Sequence, residues 1–110
     1  MGSLVIQPEG PALKTWPASP RAGERIHIAF VAPSRIGDGN WQVYEITVHD
    51  TTGRRVATVV HGRVRAVGGV VCVWWDGRLE GGLAAPGRYL LRVAKPGSGF
   101  AVERTIAIEP

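Results

Sequence analysis

Three histidines, nine carboxylates, one cysteine and four tryptophans are the side chains of this 110-residue chain whose types suit chemistry or recognition. His27, His49 and His61 fall on separate segments. They lack the clustered His or Cys spacing of a zinc site and read as surface or rim residues. The acids are Glu9, Glu24, Asp38, Glu45, Asp50, Asp76, Glu80, Glu103 and Glu109. Two of them across a cleft would suit hydrolysis, but most sit beside turns and no spacing pairs them. Asp76 stands out because Gly77 follows it; its carboxylate is expected to accept backbone N–H groups in a turn. Ser3, Ser19, Ser34 and Ser98 have no nucleophile-elbow context, and no Gly-rich stretch opens a helix to hold phosphate. Cys72 has no partner for an internal disulfide and no flanking histidine or basic pair to activate it, so it reads as a small strand residue. The chain is therefore read as a non-enzyme, with no catalytic residue, no metal ligand and no cofactor.

The tryptophans carry more information. Trp74 and Trp75 are adjacent, so a strand sends them to opposite faces. Trp75 shares a face with Val71 and Val73 and is expected in the core; Trp74 then points outward. Trp16 and Trp41 lie near segment ends. An exposed indole is costly in water and enriched at interfaces. The first expectation is that local loops cover Trp16, Trp41 and Trp74. The rival ones make these three the interaction residues, through a protein contact or through stacking on a sugar.

The element expected to position the pair runs from Val70 to Lys95 and reads as strand, long turn, strand. Val71, Val73 and Trp75 alternate at period two on its first strand, and Tyr89, Leu91 and Val93 on its second. Asp76-Gly77, Gly81-Gly82 and Pro86-Gly87 between them suit tight corners, and positive φ is expected at Gly77 or Gly87. Upstream, Leu4 to Ile6 reads as a short first strand. It opens a Pro- and Gly-rich entry segment that runs to residue 24, with an edge pairing around Leu13 to Trp16. Arg25 to Phe30 is a strand with Ile26, Ile28 and Phe30 inward. Trp41 to Asp50 is another, with Tyr44, Ile46 and Val48 on one face. Arg55 to His61 is its partner. Residues 33–40 and 62–69 read as loops. Phe100 to Glu109 closes the chain with Ile106 and Ile108 inward. About seven strands with turns at roughly ten-residue spacing predict an all-β fold, an antiparallel β-sandwich of immunoglobulin-like or fibronectin III-like type with Greek-key connections, spanning residues 1–110 as a single domain.

Trp75-Asp76-Gly77-Arg78, Gly82, Ala85-Pro86-Gly87 and Tyr89 with Leu91 and Val93 together resemble the FlgD-type immunoglobulin-like module of flagellar hook-capping proteins. Similar repeats end many bacterial secreted proteins, cargo of the type IX secretion system among them. The resemblance takes in Ile46 to Asp50, Gly53 to Ala57 and Arg104 to Ile106, and covers roughly Tyr44 to Ile108. It implies a β-sandwich with a binding or structural role, no chemistry of its own, and an extracellular or cell-surface location. It makes Trp75, Asp76, Gly77, Gly87 and Tyr89 core and turn residues.

Composition agrees with that reading. Hydrophobic content of 45% and charged content of 20% belong to a globular chain, and fifteen Gly with eight Pro call for many turns. No apolar run approaches the ~20 residues of a membrane helix, and no basic start with an apolar core marks a signal peptide. The net charge is +4, and eleven of the thirteen basic residues are arginines. They are scattered and form no basic block, which favours a solvated surface over a nucleic-acid site. The expected function is a non-catalytic structural or protein-interaction module of a bacterial extracellular or cell-surface assembly, with a protein partner or self-association through sheet edges. Leu4 to Ile6 and Phe100 to Ile108 are the candidate edges. The alternative is a carbohydrate-binding module that takes polysaccharide on exposed tryptophans.

Overall fold

In the computed structural model, residues 13–32 and 41–110 are described. The first-strand reading at Leu4 to Ile6 and the loop at 33–40 lie outside them. Among the described residues nine strands follow in order. They are β1 (Leu13–Trp16), β2 (Ile26–Val31), β3 (Trp41–His49), β4 (Arg55–Arg65), β5 (Val70–Trp75), β6 (Arg78–Leu79), β7 (Gly82–Leu83), β8 (Gly87–Lys95) and β9 (Phe100–Ile108). Every pairing between them is antiparallel. A three-stranded sheet has the order β1-β2-β5 and a four-stranded sheet the order β4-β3-β8-β9; β6 and β7 form a small separate ribbon. The two larger sheets pack face to face as a β-sandwich.

The core sits where the period-two alternation places it. Ile26, Ile28, Phe30, Val71 and Trp75 come from one sheet; Tyr44, Ile46, Val48, Leu91, Val93, Ile106 and Ile108 come from the other. Burying such a side chain contributes roughly 1.5–3 kcal/mol, so each strand that presents two or three of them is held to the opposite sheet. Phe30 meets Tyr44 edge-on across the core, with ring centroids 5.0 Å apart.

Two expectations are corrected. The stretch from Val70 to Lys95, whose strand, long turn and strand read as one hairpin, does not pair with itself: β5 belongs to the three-stranded sheet and β8 to the four-stranded one. The alternation on each strand is as read, but Trp75 and Leu91 face each other's sheets across the core instead of lying side by side. A strand's inward face can be satisfied by a sheet stacked on it as well as by a neighbour within its own sheet, and the eleven residues between Trp75 and Gly87 are long enough to change sheets. The second correction is β4, which continues through Arg65 where a loop was expected. Gly62, Arg63, Val64 and Arg65 pair with Tyr44, Val43, Gln42 and Trp41. The length of β3 supplies partners that the arginine-rich strand end did not advertise.

The crossing between sheets is pinned by three contacts. The Trp75 indole N–H donates to Arg78 O at 2.9 Å. Gly77 has φ of 75°, and a Cβ there would come within 3.1 Å of Glu24 O and Gly23 N. Gly87 has φ of 146°, and Tyr89 Oη donates to Ala85 O at 2.7 Å, tying the start of β8 back to the corner before it. Positive φ therefore occurs at both glycines singled out in the sequence. Among the described residues no helix is long and apolar enough to cross a membrane.

Candidate functional site

The register of the three-stranded sheet sets Trp16 opposite His27 and His27 opposite Trp74. All three side chains stand on the face away from the core, because each lies one residue off the buried set on its strand. The sequence therefore builds a row, Trp16–His27–Trp74, across β1, β2 and β5. Adjacent strands lie ~4.8 Å apart, which separates the outer two by about 10 Å. The Trp16 and His27 rings stack, with centroids 5.3 Å apart and planes 11° from parallel. The Arg25 guanidinium lies over the Trp74 ring, 4.1 Å from its centroid. Trp16 is 46% exposed and Trp74 is 51% exposed. Val31 and Val70 lie further along the same face and are exposed too, so the patch is apolar with a basic fringe.

Trp41 does not join this row. It starts β3 on the other sheet, opposite Arg65, and is 57% exposed. The expectation that local loops cover Trp16, Trp41 and Trp74 is overturned: all three point away from the core and stay about half exposed, with only the Arg25 and His27 side chains set against two of them among the described residues. Trp75, by contrast, is 4% exposed, as its face predicts. His27 and Arg25 are the members that sequence reasoning missed. His27 was assigned outward, but only strand register shows that it stands between two tryptophans.

Among the described residues, five of the acids and the other two histidines serve local structure. Asp50 Oδ1 accepts hydrogen bonds from Thr52 Oγ1 at 2.6 Å, Thr52 N at 2.9 Å and Arg54 N at 3.1 Å. The Thr52 hydroxyl first, then the Arg54 and Thr52 amides and the Arg54 charge hold its carboxyl below the usual aspartate value. This turn anchor was legible only as an Asp followed by Thr-Thr-Gly. Asp76 Oδ1 accepts from Arg78 N at 3.0 Å, the turn role expected of it. Glu24 Oε1 accepts from Arg21 N at 2.8 Å. Glu45 faces His61 at 3.4 Å, and Glu103 faces Arg92 at 3.7 Å. His49 Nε2 lies 2.9 Å from Thr47 Oγ1. Among the described residues no three His, Cys, Asp or Glu side chains converge.

The open side of the sandwich adds a shallow cleft of about 390 Å³ between Ala57–Val59 on β4 and Trp74–Asp76 at the end of β5. Arg78 and Glu80 complete its rim. Trp74 thus borders both the apolar face and the gap between the two sheets. Compared with known proteins, the sequence matches no family model and no curated protein.

Proposed function

We propose that this chain is a non-catalytic structural and protein-interaction module, an immunoglobulin-like sandwich of the FlgD type that serves in a bacterial extracellular or cell-surface assembly. The observation that carries this reading is the exposed Trp16–His27–Trp74 row on a flat sheet face. Tryptophans half in water on a rigid platform gain most from a partner that covers them, and such rings dominate binding energy where they are buried at an interface. The motif residues also support it. Trp75, Asp76, Gly77 and Tyr89 act as core and corner residues here, and the Tyr89-to-Ala85 bond matches the tyrosine corner of immunoglobulin-like sandwiches. The placement of Asp50, Asp76, Glu24, Glu45 and Glu103 in turns and cross-strand pairs leaves them structural work rather than acid–base work.

A second reading, a carbohydrate-binding module, is favoured by one observation: Trp16 and Trp74 share a face. Against it, the stacked His27 covers one face of the Trp16 ring, and Trp41 lies on the other sheet. A Trp74→Arg variant tests the first reading. It should keep its far-ultraviolet circular dichroism and lose self-association or partner binding. Unchanged assembly by that variant removes Trp74 from the interface. Binding to a glycan array that Trp16→Ala and Trp74→Ala abolish would install the second reading in its place.

A further inference from the structure

Resting on the interaction-module reading, we infer that the unprotected edge of β5 is a self-pairing interface, joining two copies of this chain through an antiparallel β5–β5 contact centred on Val73. The direction of the backbone groups carries the argument. Among the described residues, β5 pairs with β2 on one side and with no strand on the other. Ala32 N donates to Gly69 O at 2.8 Å, so the backbone groups of Gly69 turn toward β2. Val70 exchanges both of its hydrogen bonds with Val67, so its groups turn away. Alternation along an antiparallel strand then directs Val71, Val73 and Trp75 toward β2 and leaves Cys72 and Trp74 facing outward. Two N–H and two C=O groups thus line the edge, and among the described residues no hydrogen bond reaches them.

The two edges of the four-stranded sheet, β9 and β4, are treated differently. Along β9, Thr15 Oγ1 receives a bond from Arg104 Nε at 3.1 Å, and Glu109 N donates to Pro20 O at 2.8 Å. The candidate edge at Phe100 to Ile108 is thus tied to β1 through Arg104 and to Pro20 just past its end. On β4, Val56 O accepts from Glu80 N at 3.1 Å, and Arg55, Arg63 and Arg65 line the strand. Charged side chains and covering turns are the devices by which sheets protect edges. β5, with the sequence VVCVWW, has neither a charge nor a proline.

A second copy fits because the edge is self-complementary. Under a two-fold axis through Val73, Cys72 of each copy lies opposite Trp74 of the other, and all four free groups pair. A register centred on Cys72 would instead set Trp74 against Val70, whose groups Val67 already holds. The chosen register also brings the two Trp74 rings into diagonal contact on the apolar outer face, within reach of aromatic side chains.

Proline at position 72 tests this. It removes a donor that faces the edge and none that faces β2, a placement that sheets tolerate. Light scattering of the full chain should show a dimer, and Cys72→Pro should keep its circular dichroism while dimerising roughly ten-fold or more weakly, from the loss of two inter-strand bonds. In a Cys72→Ser/Val73→Cys variant, the single thiol should form a covalent dimer on oxidation, because the axial pair brings Cα atoms to about 4.5 Å; the native Cys72 thiols, offset by two residues, should not. A monomeric parent chain, or a Cys72→Pro dimer of parental strength, overturns the inference. So does cross-linking of native Cys72 without cross-linking at position 73. A dimer lost in Trp74→Arg but kept in Cys72→Pro places association on the sheet face, leaving the module reading intact and refuting the edge. A dimer that neither variant weakens refutes both.

Discussion

Replacing Trp75 by alanine tests the strand faces on which the whole arrangement rests. A tryptophan buries about 150–250 Å², and at ~25 cal/mol per Å² its transfer from water contributes roughly 4–6 kcal/mol as an upper bound. Trp75 is 4% exposed, so nearly all of that applies. Measured truncations of this size cost about 3–5 kcal/mol. The indole bond to Arg78 O adds little, because Arg78 is exposed and water can replace the donor. Trp74 is 51% exposed, so Trp74→Ala forfeits about half the transfer term, roughly 2–3 kcal/mol at most, and leaves no cavity. Urea unfolding followed by circular dichroism should therefore move the midpoint at least twice as far for Trp75→Ala as for Trp74→Ala. A loss near 4 kcal/mol consumes much of the ~5–15 kcal/mol that holds a domain together. Trp75→Phe, which keeps a ring in place, is the graded version and should fall between the two. Equal losses at positions 74 and 75, or a larger loss at 74, would refute the face assignment and with it the aromatic row.

Tyr44 is fully buried, and among the described residues its hydroxyl has no hydrogen-bond partner. Tyr44→Phe keeps the edge-on contact with Phe30 and should stabilise the fold by about 1 kcal/mol in thermal or urea melts, since the orphaned polar group is removed. Burial also raises the Tyr44 pKa above 10.0. The neutral phenol is the form that folding favours, so its contribution is complete below pH 10 and lost as pH climbs past it; Tyr44→Phe should flatten that alkaline loss in melts from pH 9 to 11. Asp50 titrates below 3.8, so its contribution is present above that pH and lost as pH falls below it. Asp50→Asn should lower stability at pH 7 and shrink the drop between pH 5 and 2. Gly77→Ala should cost ~2 kcal/mol or more by urea unfolding, because positive φ strain adds to backbone contact at 3.1 Å; Gly97→Ala, with φ of 78° and open space, should cost only about 1 kcal/mol.

Much of the fold was legible in residue order. Ile26, Ile28 and Phe30, then Tyr44, Ile46 and Val48, then Tyr89, Leu91 and Val93 identified their own inward faces. Asp76-Gly77 and Pro86-Gly87 identified corners. A strand has a side-chain period of two wherever it lies, and a positive φ is the same demand on Gly77 in any fold, so these features need only local geometry. Neighbours across space were not legible. The alternation of Val71 and Trp75 is compatible with pairing to Leu91 beside it or with packing against Leu91 from the opposite sheet, and only the tertiary structure selects the second. The same holds for the stacking of Trp16 on His27, the guanidinium of Arg25 over Trp74, and the strand pairing that carries β4 on to Arg65. Each depends on register, which is chosen by how the buried faces of both sheets fit together at once. A one-residue slip would turn every inward side chain to water, so the pairing is set by the collective burial of the core and not by the residues that end up side by side on the surface.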